Sequence, residues 1–250
     1  TVDVSKPTAE IQPTMYGIFF EDINFGADGG LYAELVKNRS FEFPQPFVGW
    51  VPFGNVSVQR EKPCFERNPH YVRVVNDGRL LRAGLDNEGF TGIGLKEGEE
   101  YRFSVYARTP DAAPMKLSVE LVRKDGSNPL KKTVEVKGNE WQKQTVILKS
   151  PFTDAHARLR IVLETKGTVD MDHISLFPVK TWKGRENGLR ADLAQALYDL
   201  NPGVLRFPGG CIIEGNSLAT RYQWKNSVGP VENRPLNENR WNYTFKHKAF

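Results

Sequence analysis

The stretch that most constrains this chain runs from Val204 to Asn216, Val-Leu-Arg-Phe-Pro-Gly-Gly-Cys-Ile-Ile-Glu-Gly-Asn. It begins as an apolar strand and breaks at Pro208-Gly209-Gly210. Just before it, Leu189, Leu193, Ala196, Leu197 and Leu200 recur at three- and four-residue steps, one apolar stripe of a helix spanning 189–200. Asn201-Pro202-Gly203 stops that helix, because proline lacks an N–H and disfavours helical backbone in the residue before it. Helix, tight break, short buried strand and glycine turn make an αβ step, the unit of parallel sheets and barrels. In such folds the loops at the carboxyl ends of strands hold the ligand. Gly209 and Gly210 carry no Cβ and let a ligand approach the backbone closely, with Glu214 and Asn216 following. Taken alone, Pro-Gly-Gly reads as an ordinary turn.

A second apolar run, Met15 to Phe20, reads as a strand buried on both faces. Glu21 and Asp22 end it, either as a solvated pair or as acceptors for a hydroxylated ligand at a strand's carboxyl end. Gly26, Gly29 and Gly30 mark a loop, and Leu31, Leu35, Tyr32 and Val36 are spaced for a short amphipathic helix. Thr1 to Pro13 opens in a β-like pattern broken by Pro7 and Pro13.

From Asn38 to about Pro178 the pattern is all-β. Residues 101–107, 117–121 and 145–148 alternate apolar and polar, and 158–163 and 169–177 follow, separated by turns at Asp125-Gly126, Lys137-Gly138-Asn139 and Lys166-Gly167. Short strands with regular turns predict a β-sandwich of jelly-roll type. The sandwich interrupts the αβ pattern, so it is predicted to be inserted in the first βα connection, with Trp182 to Gly188 as the return linker.

Composition excludes several classes. Lys and Arg total 34 against 30 Asp and Glu, and the excess is spread through mixed-sign sequence, with only a short basic cluster at Lys246-His247-Lys248. That predicts a solvated surface and no nucleic-acid partner. No run approaches the ~18 apolar residues of a membrane helix. Cys64 and Cys211 are the only cysteines, too few for a stapled scaffold or a zinc site. The chain opens on Thr1-Val2-Asp3 without a signal peptide or initiator Met, which reads as a processed or trimmed start. No phosphate loop, Gly-x-Ser-x-Gly or His-Glu-x-x-His occurs.

Two blocks carry a resemblance. Leu205-Arg206-Phe207-Pro208-Gly209-Gly210-Cys211, followed by Tyr222-Gln223-Trp224-Lys225-Asn226-Ser227-Val228-Gly229-Pro230 and Arg234-Pro235, resembles the α-L-arabinofuranosidases of glycoside hydrolase family 51. So does Met15 to Asp22 with Gly29-Gly30-Leu31-Tyr32, which is similar to that family's first barrel strand and loop. The resemblance implies a (β/α)8 barrel, incomplete in this chain, and a fold that is mainly β because the sandwich is inserted at its beginning. It divides the chain into 1–37 (N-terminal strand and first barrel strand), 38–180 (sandwich) and 181–250 (first barrel helix, second strand and active-site loop). In the family, the extreme N-terminus adds a strand to a C-terminal sandwich.

The sandwich in turn resembles the galactose-binding-like carbohydrate-binding modules, through Asn38-x-x-Phe41-Glu42, Gly98 to Ser104, Trp141-Gln142 and Val169 to Leu176. Some of these modules bind a structural calcium, which implies Glu42 and Asp172 as candidate oxygen ligands. No other cofactor is implied.

The family resemblance implies that Glu21, Gly209, Gly210 and Cys211 form a sugar-binding floor. At Cys211 the family often has Asn, and thiol is a weak donor, so a sugar contact and a small buried residue both stand as readings. Trp224 and Trp241 are candidates for a subsite wall, or pack the loop. The family's two catalytic glutamates lie on later barrel strands, the acid/base after an Asn. Asn87-Glu88, Asn139-Glu140 and Asn237-Glu238 are read as loop or turn pairs, so no catalytic residue is assigned. The implied activity is exo-acting, retaining hydrolysis of terminal arabinofuranosyl residues of arabinan or arabinoxylan by a secreted or periplasmic enzyme, with the 250-residue chain inert by itself. A partner would be that polysaccharide, the rest of the enzyme or another copy. The alternative is a non-catalytic carbohydrate-binding or structural β-sandwich module.

Overall fold

The computed structural model describes residues 2–79, 81–127 and 130–237. Its strands are β1 (Gly17–Phe19), β2 (Trp50–Phe53), β3 (Asn55–Gln59), β4 (Tyr71–Asn76), β5 (Ala83–Asn87), β6 (Ile93–Leu95), β7 (Glu100–Arg108), β8 (Met115–Val122), β9 (Leu130–Val136), β10 (Gln142–Lys149), β11 (Asp154–Leu163) and β12 (Gly167–Pro178), followed by helix α1 (Ala191–Asp199) and strand β13 (Val204–Arg206).

β2 to β12 make the sandwich. One sheet has the order β10-β7-β12-β4-β3; the other has β2-β5-β11-β8-β9, with β6 also on β11. Every pairing between these strands is antiparallel. Alternation along β7 sends Tyr101, Phe103, Val105 and Ala107 inward, where they meet Leu117, Val119 and Leu121 of β8 and Leu159, Ile161 and Leu163 of β11 in one closed core. The sandwich is thus the expected one, with strands the alternation did not reveal at 50–59, 71–76, 83–87, 93–95 and 130–136.

The ends of the insertion lie side by side. Tyr32 bridges Leu189, Thr181 bridges Arg190, and Arg190 donates its N–H to Leu31 O at 2.9 Å. The helix expected around 31–36 does not form. Its backbone groups are taken by other segments: Ala33 N–H bonds Gly188 O and Leu35 N–H bonds Leu176 O. The apolar spacing instead serves docking, since Val36 is part of the sandwich core. Glu34 is buried beside it; its carboxylate accepts from Ser175 Oγ, Leu176 N and Val36 N and pairs with buried Arg39 at 3.2 Å. Burial pushes the Glu34 carboxyl above its usual range, with Arg39 opposing. A bulge in β12 between Asp172 and Ser175 opens the ladder there, and Ile174 N–H reaches Arg39 O.

β1 and β13 pair in parallel, Gly17 with Val204 through Phe19 with Arg206. Among the described residues each has no other strand neighbour, so the expectation that 15–20 is buried on both faces fails: Met15, Tyr16 and Phe19 are exposed. α1 covers less than its predicted span and buries only Ala194. Residues 2–12 form no strand. Asn87, expected in a loop, ends β5 and is buried, its side chain bonding the backbone of Lys37 in both directions. Asn139 and Glu140 occupy the expected turn before β10, and Glu238 lies outside the described residues.

Candidate functional site

The parallel pairing continues past the strands. Phe20 N–H bonds Arg206 O, and Asp22 N–H bonds Pro208 O at 3.0 Å, so Glu21 is held between two backbone anchors at the carboxyl ends of β1 and β13. The Phe207–Pro208 bond is cis. Gly209 has φ 131°, and a Cβ there would stand 2.5 Å from Glu21 Cγ, so only glycine fits against the glutamate stem. At Gly210 an added Cβ would lie 3.7 Å from Glu21 Oε1, which places the carboxylate alongside this backbone wall. Glu21 Oε1 is buried and has no hydrogen-bond partner among the described residues.

A buried acceptor without a donor is costly, of order 1–3 kcal/mol, and in folded proteins such an oxygen is met by water or by a ligand donor. Three residues expected to form a floor, Glu21, Gly209 and Gly210, are therefore brought together. Asp22 is bonded within its own loop. Its Oδ1 accepts from Ala27 N at 2.9 Å and closes the following loop, and burial pushes its carboxyl above the usual range.

Cys211 begins a 3-10 turn over Cys211–Ile213, half-buried, with a free thiol. Tyr222 N–H returns to Ile213 O and closes the loop. Trp224 opens another 3-10 turn, Trp224–Ser227, capped where Ser227 Oγ donates to Trp224 O. Its side chain is 64% exposed, so within this chain it presents a face rather than packing the loop. Trp241 lies outside the described residues.

The two candidate calcium ligands have hydrogen-bond partners within the sandwich. Glu42 accepts from His70 N at 2.8 Å and lies 2.6 Å from His70 Nδ1, using both oxygens, and Asp172 accepts from His173 N. Among the described residues no three His, Cys, Asp or Glu side chains gather as an ion site.

Sequence reading missed the contacts between the loop after Trp224 and the sandwich. Asn68 donates to the carbonyls of Glu232 and Arg234, and Tyr106 OH donates to Glu232 Oε1. Partners more than 100 positions apart leave no local pattern; the one signal was that Asn68 is a polar residue beside aromatic Phe65 and Tyr71.

Comparison with known proteins gives two family matches: an Alpha-L-arabinofuranosidase 1 domain over residues 196–250 and a Carbohydrate binding domain over 33–170. An extracellular exo-alpha-L-arabinofuranosidase of Streptomyces chartreusis is 38% identical over 97% of this chain and 31% of its own length. Alpha-L-arabinofuranosidase 1 of Arabidopsis thaliana is 37% identical over 90% of this chain and 35% of its own. The chain thus spans about a third of the length of these curated relatives. A solved arabinose-bound MgGH51 α-L-arabinofuranosidase superposes with a TM-score of 0.84 at 30% identity, covering 95% of this chain and 41% of that one.

Proposed function

Because this chain belongs to the glycoside hydrolase family 51 α-L-arabinofuranosidases, and its residues 33–170 to the carbohydrate binding domain family, we propose that the enzyme containing it releases terminal arabinofuranosyl residues from arabinan and arabinoxylan with net retention. The observation that carries the reading is the orphaned Glu21 Oε1 against the Gly209–Gly210 backbone at the carboxyl ends of two parallel strands. A sugar hydroxyl would donate to that oxygen, and the Cβ-free wall lets the furanose ring come against the main chain. Trp224 offers an exposed aromatic face for the sugar or its neighbour. These groups bind and orient. The chemical steps need an acid/base and a nucleophile about 5–5.5 Å apart, and we place neither among residues 2–237. The Streptomyces relative is described as extracellular, and we place this enzyme likewise outside the cytoplasm.

The test is hydrolysis of an aryl α-L-arabinofuranoside by the full-length enzyme. Retention of configuration is expected, and Glu21→Gln lowers kcat/KM by roughly 10–100-fold, the value of a hydrogen bond to a charged acceptor. The 250-residue chain alone turns over at least about a hundredfold more slowly than the whole enzyme, for want of the acid and nucleophile. Inversion, or a Glu21→Gln variant with unchanged kcat/KM, refutes the reading.

A further inference from the structure

We propose that the inserted sandwich positions the sugar-site loop, and that Asn68 is the positioning residue through which it does so; the role of the loop rests on the function proposed above. The outer face of the five-stranded sheet is where the two parts meet. It is not an open surface. Asp170 receives Arg73 at 2.6 and 2.9 Å and Arg108 at 3.0 Å, and Arg108 also lies 4.4 Å from the centre of the Trp141 ring. The segment between β3 and β4 folds back across this face. Phe65 packs edge-on against Tyr106 and His173, with ring centres 5.0 and 4.9 Å away.

That packing delivers Asn68, which is buried, to the strap that follows the Trp224 turn. Its amide NH2 carries two donors in a fixed plane, and both are used on carbonyls two residues apart, those of Glu232 and Arg234, the second at 3.3 Å. The strap answers with its own side chains. Glu232 Oε1 accepts from Tyr106 OH at 3.3 Å and lies 3.9 Å from Lys143 Nζ. Burial first, and Glu232 next, push the Tyr106 phenol up to about 12, so it stays a donor. Arg234 Nε and Nη2 both donate to Gly229 O, at 3.1 and 2.8 Å, closing the Val228-Gly229-Pro230 turn. The residue whose carbonyl Asn68 holds is therefore the one that shapes the turn next to Trp224. Trp224 is 64% exposed, so the place of its turn depends on this chain of contacts more than on burial of its ring.

Two variants separate positioning from packing. Asn68→Ala removes the amide; Asn68→Asp keeps its shape and replaces the donors with acceptors facing two carbonyls. Amide hydrogen exchange of the 250-residue chain reads the effect without any assumption about activity. Both variants are expected to speed exchange across 229–234 by about tenfold, the value of one or two net hydrogen bonds, with exchange in β7 and β12 unchanged. Unchanged exchange in 229–234, or a loosened strap in Asn68→Ala but not in Asn68→Asp, overturns the proposal. In the full-length enzyme, both variants are expected to raise KM for the aryl arabinofuranoside by about tenfold with kcat within about threefold. A loosened strap with an unchanged KM also overturns the positioning role. A wild-type enzyme that cleaves no arabinofuranoside would instead overturn the function proposed above and leave the exchange result standing.

Discussion

Two stretches of similar apolar character meet opposite fates here. Tyr101 to Ala107 lies in the sandwich with Phe103 fully buried, flanked by β10 and β12 and faced by a second sheet. Gly17 to Phe19 and Val204 to Arg206 pair only with each other, and leave Phe19 52% and Leu205 59% exposed. An apolar side chain is removed from water by the layers stacked over it, not by its own hydropathy. The sandwich owns its second layer, whereas the parallel pair would draw one from further strands of a barrel.

The sharpest way to break this comparison is to cut both sides equally. Phe103→Ala is expected to cost about 3–5 kcal/mol of unfolding free energy in urea, because the void cannot fill. Glu34→Ala tests the seam where the two parts join. It strands the Arg39 charge in a dry site and should cost about 3 kcal/mol, with a lowered melting temperature. A loss below about 1 kcal/mol would mean that Arg39 finds water and that the seam is looser than its burial implies. Leu205→Ala should change unfolding of this chain by no more than about 0.5 kcal/mol, as for other exposed positions. A cost above about 2 kcal/mol there would show the strand pair packed as tightly as the sandwich and end the contrast.

Much of the fold was legible. The alternation at 101–107, 117–121 and 158–163 located central strands, because one face of each is core and the other polar. The edges were less so. β2 contains Pro52, and β5 is Ala-Gly-Leu-Asp-Asn, buried at every position and without alternation. The pattern at 31–36 was misread as helical because its apolar residues serve tertiary docking, and Leu35 spends its N–H on β12. In the candidate site, the meeting of Glu21, Gly209 and Gly210 was legible because they lie in two short motifs at strand ends. Asn68 and Glu232 were not, since their meaning depends on two distant segments crossing. Asp22 was open to either reading, a solvated residue or a hydroxyl acceptor, and the bond from Ala27 N that anchors its loop left no local trace in the sequence.

The two-ply stem, where Leu31 and Ala33 meet Arg190 and Gly188, changes the chain as a polymer. Gly17 and Val204 stand 187 positions apart, and joining them in a random coil would carry a closure entropy of about 5 kcal/mol. Once the sandwich has folded, the stem short-circuits that loop. The free contour left between Phe19 and Leu31, and between Arg190 and Val204, is roughly 26 residues, which lowers the closure cost by roughly 2 kcal/mol. The insertion is then a clasp as well as a domain. A parallel pairing that is distant along the chain becomes nearly local, and the sandwich is expected to fold before the strands it brings together.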